Sequence, residues 1–249
     1  MKDIILDQIR VVDSRFPHKL RSSIESSIWQ EIGTDNSVVL QYKLDFLEAL
    51  SLLIKREIEE EASNLPSFHH YKSEIQQLNT RNLDDNKIVR IIFENTIIGA
   101  LIEAFLMETT SILDITAGIS GKFLNTSFNT FSKKGQRVLN HLRQNCKKLK
   151  HQKELIRLIQ HHKKVWIDDV FKLRDDVSHY KNLPNLFSFH IDINNKWDGK
   201  SFDNKSLRNP TIGNLDLGEF IEFVNRNLLS FVTEYLRLSI NNRGDGVTK

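Results

Sequence analysis

The stretch FKLRDDVSHYKNLP, residues 171–184, holds an arginine and a histidine five positions apart, Arg174 and His179. An arginine is a permanent cation with a planar fork of donors, and a histidine takes or gives a proton near neutral pH. Side by side they suit an anionic centre whose reaction needs proton transfer, such as a phosphodiester under attack. The residue before Pro184 resists helical geometry, so the helix that carries the pair is expected to end by about Leu183. His179 then lies near a helix C-terminus, where the dipole favours the imidazolium. On a regular helix, five positions turn two side chains about 140° apart with roughly 7.5 Å of rise. One narrow face holds both only if the helix loosens at its end or two copies of it meet.

Around this pair the charge is unevenly spread. The chain has 249 residues and a formal net charge of +3. Between Lys133 and Lys164 stand eleven Lys and Arg against one acid, Glu154, so this segment carries +10 and the remainder −7. His141, His151, His161 and His162 lie in the same window. Such a concentration in an otherwise acidic chain reads as an anion-binding surface rather than a solvated helix face. Lys147, Lys148, Lys150, Lys153, Lys163 and Lys164 are the candidate contacts. No interleaved glycine–aromatic pattern of an RNA-stacking module accompanies them, so the expected contact is with phosphate more than with bases.

Other chemistries find little support. The pairs His69-His70 and His161-His162 look like metal ligands, but neighbours on a helix point about 100° apart and no carboxylate completes either set. With one cysteine, Cys146, no zinc–cysteine cluster or intramolecular disulfide forms. No glycine loop is present to cradle phosphates, which argues against an ATPase. Neither metal nor cofactor is expected. No run of 18 apolar residues occurs and the start lacks a signal-peptide layout, so a cytoplasmic protein without a membrane partner is expected.

The elements that must position the pair are mostly helical. Ten glycines and four prolines leave few breakers. A helix is expected over 17–32, opening at Pro17 and stopping before Gly33. Another follows a cap at Asn36-Ser37, with Val39, Leu40, Leu44, Leu47, Leu50 and Ile54 at helical spacing. The strongest runs from about Asp85 to Gly118 and is apolar on several faces, which makes it central. Residues 121–135 read as loop, and helices are expected over 134–148 and 153–180. In FSFHIDIN the period changes to two, which gives a half-buried strand and, with a turn at 197–199, a small hairpin near 187–206. A last helix opens at Asp216. The expected fold is mainly all-α, a multi-helix bundle with a small β-hairpin insertion. Residues 1–80 form an N-terminal helical segment that belongs to the bundle or stands apart, 81–241 the main helical domain, and 242–249 a loose tail.

The run Arg174-Asp175-Asp176-Val177-Ser178-His179 resembles the R-x(4–6)-H signature of the HEPN superfamily, with a likeness in element order over roughly residues 85–240. The resemblance implies a HEPN-like helical bundle that dimerises so that two copies of the motif share one cleft. It further implies a metal-independent endoribonuclease, with RNA and a second copy of the chain as partners and room for an inhibitory or regulatory protein. Toxin or defence systems are the usual setting. His179 would act as acid or base, Arg174 would hold the scissile phosphate, and Asp175 at the polar position would orient one of them. Asp175 departs from the commoner Asn there, and Asp176 adds a second carboxylate. Asp114 and Tyr180 are supporting candidates. Members paired with nucleotidyltransferases carry Tyr two residues after the His; here Tyr180 follows directly and position 181 is Lys, so that subtype is not implied. The alternative is a non-catalytic HEPN-like scaffold that binds RNA or protein.

Overall fold

The computed structural model describes residues 19–64, 89–94, 96–126, 130–131, 135–145, 150–178, 188–193, 205–208, 210–212 and 215–242. Their fold is mainly helical with a small antiparallel sheet, as the periodicities require. The helices are α1 Lys19–Ser22, α2 Ser26–Ile32, α3 Thr34–Asn64, α4 Thr96–Phe123, α5 Gln136–Asn145, α6 Gln152–His162, α7 Asp168–Ser178 and α8 Leu217–Asn241. A π-helical turn, Lys163–Ile167, joins α6 to α7. The strands are β1 Val89–Glu94, β2 Ser188–Ile193, β3 Lys205–Arg208, β4 Thr211–Ile212 and β5 Leu215–Asp216. The chain groups into two units, one of residues 1–52, 102–181 and 221–249, the other of 53–101 and 182–220.

In the first unit α3, α4 and α8 supply most of the core. Leu40, Leu44, Leu47 and Leu50 of α3 recur every three or four residues and are fully buried. Burial of each contributes about 1.5–3 kcal/mol relative to an exposed side chain. Phe105, Leu106, Ile112 and Leu113 of α4 and Leu228, Phe231, Val232 and Tyr235 of α8 fill the same core. Several polar groups inside it are bonded. Thr109 and Thr116 donate to the carbonyls of Phe105 and Ile112 one turn back. Ser51 Oγ accepts from Asn225 Nδ2 at 2.9 Å, and the Ser120 and Tyr235 hydroxyls lie 3.1 Å apart. Lys43 of α3 and the buried Glu108 of α4 pair at 3.0 Å. Burial pushes the Glu108 carboxyl up, with Lys43 opposing the shift. Among the described residues α4 is the one helix long and apolar enough to cross a membrane, and just over half of its most apolar stretch is buried within this fold.

The N-terminal helix expected over 17–32 is two pieces. Glu48 of α3 accepts the backbone N–H groups of Lys19 and Leu20, which caps the first piece. Asn36 and Ser37 do not cap α3, which already begins at Thr34. Their side chains donate backwards, Asn36 Nδ2 to Ile32 O and Ser37 Oγ to Trp29 O and Gly33 O, and so tie α3 to the end of α2. Gly33, at φ 81°, makes the corner.

The second unit contains a correction. The helix expected from Asp85 begins only at Thr96, and Val89–Glu94 is a strand. In the three-stranded sheet β2 is central, antiparallel to β1 on one side and β3 on the other. The register sets Ile91 opposite Ile191 and Phe93 opposite Phe189, with Arg90 opposite Asp192. The apolar positions of β1 therefore match those of β2, and a β-branched run settles as strand once that partner is present. The hairpin expected near 187–206 is the β2–β3 pair, with Ile191 opposite Leu207. A further small hairpin, β4–β5, leads into α8.

Candidate functional site

The helix that carries Arg174 is aimed by the turn before it. Leu155 and Ile159 of α6, His162, Trp166 of the π turn, and Val170 and Phe171 of α7 are all buried. Leu155 to Val170 spans fifteen residues and four turns, a mean of about 3.75 residues per turn against the 3.6 of an α-helix. The wider π turn absorbs the difference and keeps the apolar seam pointing inward. Trp166 locks it. Its indole Nε1 donates to His162 Nδ1 at 2.9 Å, and the His162 ring meets Phe231 of α8 edge-on at 5.3 Å. His162 is 5% exposed, and burial, helped by neighbouring His161, pulls its pKa down to about 4. It is a neutral core residue. His161, the other half of that pair, is exposed on the adjoining face.

Arg174 stands three residues after Phe171 and so on the same side of α7. Its guanidinium carbon lies 4.9 Å from the centre of the Phe171 ring. Its Nε and Nη2 donate to Asp175 Oδ1 at 3.2 and 2.7 Å. The side chain is 28% exposed, against 51% for Asp175. A pair this open contributes at most about 1 kcal/mol, so its effect is to orient rather than to stabilise. The ring contact adds roughly 0.5–2 kcal/mol. Asp175 thus touches Arg174. His179 and Tyr180 lie outside the described residues, which end in α7 at Ser178.

Asp114, the other supporting candidate, sits in α4. Its Oδ1 accepts from Phe131 N at 2.5 Å and from Thr130 Oγ1 at 3.0 Å. These bonds tie Thr130 and Phe131 to α4. Gly135 completes that connection. It adopts φ 77°, its N–H bonds Phe131 O at 2.8 Å, and a Cβ there would lie 2.5 Å from the Phe131 ring.

The candidate phosphate contacts divide. Lys150, Lys153 and Lys164 are exposed, while Lys163 is drawn across the π turn to Asp168. Lys147 and Lys148 lie outside the described residues. Arg157, also exposed, completes a run at positions 153, 157 and 164, spaced as one outward stripe of α6 and its continuation. Arg137 and Arg143 are exposed on α5. The sequence signal for Arg157 is its four-residue step from Lys153. Phe171 has no such signal, because a buried aromatic at helical spacing looks like any core residue. Among the described residues no group of three or more His, Cys, Asp or Glu is gathered as metal ligands would be.

Comparison with protein-family descriptions, with curated proteins and with solved structures gives no match for this chain.

Proposed function

We propose that this protein is a metal-independent endoribonuclease of HEPN type whose site is built from Arg174 and His179. The observation that carries the reading is the state of Arg174. At the last turn of an amphipathic helix, it is half-buried and held in a fixed plane by Phe171 and Asp175. A guanidinium so placed is suited to grip a phosphate in a defined orientation and to offset charge that develops there. The exposed cations Lys150, Lys153, Arg157 and Lys164 supply attraction for a polyanion. In this mechanism an imidazole removes the proton of a ribose 2′-hydroxyl, and the 2′-oxygen attacks the adjacent phosphorus. The bond to the 5′-oxygen breaks as that oxygen is protonated. The products are a 2′,3′-cyclic phosphate and a 5′-hydroxyl. One copy of the motif offers one histidine, His179, whereas the step uses a base and an acid. A two-fold pairing of motif helices supplies both, and a homodimer is part of the proposal.

A second reading is favoured by the same Arg174–Asp175 pair. A guanidinium already neutralised within its own chain fits a scaffold that binds RNA or protein without cutting. Incubating RNA with the protein in excess chelator separates the two. Cleavage to cyclic-phosphate ends is expected, abolished by Arg174→Ala and by His179→Ala with little change in melting temperature. Activity should fall as the square of the wild-type fraction when the doubly substituted chain is co-folded with wild type. Binding without cleavage supports the scaffold, and cleavage of DNA sinks the mechanism, since DNA lacks the 2′-hydroxyl.

A further inference from the structure

Resting on the reading of Arg174 as the phosphate-binding group, we infer that Phe171 is a positioning residue: its ring is a shelf that sets the plane of the Arg174 guanidinium. Three observations carry this. The guanidinium carbon lies 4.9 Å from the ring centre, within the range in which a cation is held over an aromatic face. Phe171 is itself 6% exposed, one residue after the fully buried Val170, so the shelf is anchored in the core. Asp175 takes Nε and Nη2 through a single oxygen, Oδ1. One carboxylate oxygen bonded along one edge leaves the plane free to swing about that oxygen. A ring under the face removes the swing. Phe171 and Asp175 thus fix different degrees of freedom of one group, and neither alone defines where the donors point.

The orientation matters because a guanidinium recognises a phosphate through two parallel N–H donors in one plane, and a tilt costs one of them. It matters more for a pentacoordinate phosphorus than for the ground state, because the equatorial oxygens carry the developing charge. Loss of the shelf is therefore expected to lower kcat with KM nearly unchanged. The core requires only an apolar side chain of similar size at 171, which leucine provides. The shelf requires an aromatic face.

The experiment compares Phe171→Leu, Phe171→Met and Phe171→Tyr. Two readouts are used: cleavage of a single-stranded RNA and the NMR signals of the Arg174 side chain in the uncleaving His179→Ala background. Ring current from Phe171 should displace the Arg174 δ-proton signals; Phe171→Leu and Phe171→Met should abolish that displacement and Phe171→Tyr keep it. The two aliphatic variants should lose about two- to thirty-fold in kcat, the span of the ring contact's energy at tenfold per 1.4 kcal/mol. Phe171→Tyr should retain most activity. A second arm adds guanidinium ion to Arg174→Ala: rescue is expected with Phe171 present and not with Phe171→Leu in the same chain. Equal kcat in Phe171→Leu and wild type, or an undisplaced Arg174 signal in wild type, overturns the shelf while leaving Arg174's role intact. Full activity in Arg174→Ala overturns that role first, and the shelf with it. If both aliphatic variants fail to fold, the rescue arm with Phe171→Tyr and the wild-type Arg174 signal still decide.

Discussion

At residue scale, among the described residues, the most perturbed titrating group is not Arg174 or its neighbours. His162 has an ordinary value of 6.5 when unfolded and about 4 in the fold, because its burial disfavours the imidazolium. Its Nδ1 also accepts the Trp166 N–H, and a protonated ring would set donor against donor. The neutral form is the folded form, so the stability it contributes is complete above about pH 6.5. That stability is lost progressively as pH falls towards 4, where the unfolded chain binds the extra proton. The full loss is on the order of 3 kcal/mol. Urea midpoints measured between pH 7 and 4 should fall for wild type, and His162→Gln should flatten that part of the decline. An equal decline in both would assign it to other groups. The local details are partly legible in the letters. Arg174 and Asp175 are chain neighbours, and they touch. The seam of Leu155, Ile159 and Trp166 sets His162 inside and His161 outside, but the contact with Phe231, some seventy positions away, is not visible in the letters.

At the scale of elements, legibility follows the range of the interactions. Helix α3 is visible because its apolar stripe repeats within itself, and β2 because its alternation does. Val89–Glu94 reads as helix because VRIIFE satisfies either period, and the strand forms only through β2, about a hundred residues later. The π turn is hidden as well, since the chain shows its seam but not the count of residues per turn. The connection from α4 to α5 depends on one glycine. Gly135→Ala would place a methyl group against the Phe131 ring in a left-handed backbone, at a cost of about 2 kcal/mol or more. A fall in melting temperature of roughly 4–8 °C is expected for a chain of this size. If Phe131 swings away freely, only the left-handed backbone cost of about 1 kcal/mol remains, and the drop should be about 2–4 °C.

On the scale of the whole molecule, the cations and the motif arginine have different surroundings. Lys153, Arg157 and Lys164 form an outward stripe, whereas Arg174 leans over the inward Phe171. Under the proposed function the stripe serves to attract and hold a polyanion, and Arg174 to orient one phosphate. Replacing Lys153, Arg157 and Lys164 by glutamine should reduce RNA affinity and flatten its salt dependence. The expected change is roughly 0.7 in log–log slope for each phosphate no longer neutralised. Cleavage at saturating RNA should be nearly unchanged. An unaltered slope would make the stripe a passive surface. Arg174→Ala, by contrast, frees one phosphate at most and should leave the slope within about one such step of wild type.

The bond between Trp166 and His162 also gives the protein an optical signal of its own. An indole 1% exposed emits at short wavelength, and an imidazolium within hydrogen-bond reach quenches it where a neutral imidazole does not. Light from Trp166 therefore reports whether the π turn ahead of α7 is dry and uncharged. With Trp29→Phe and Trp197→Phe removing the other emitters, the colour and lifetime of one ring would follow α7 during RNA binding, with no label attached.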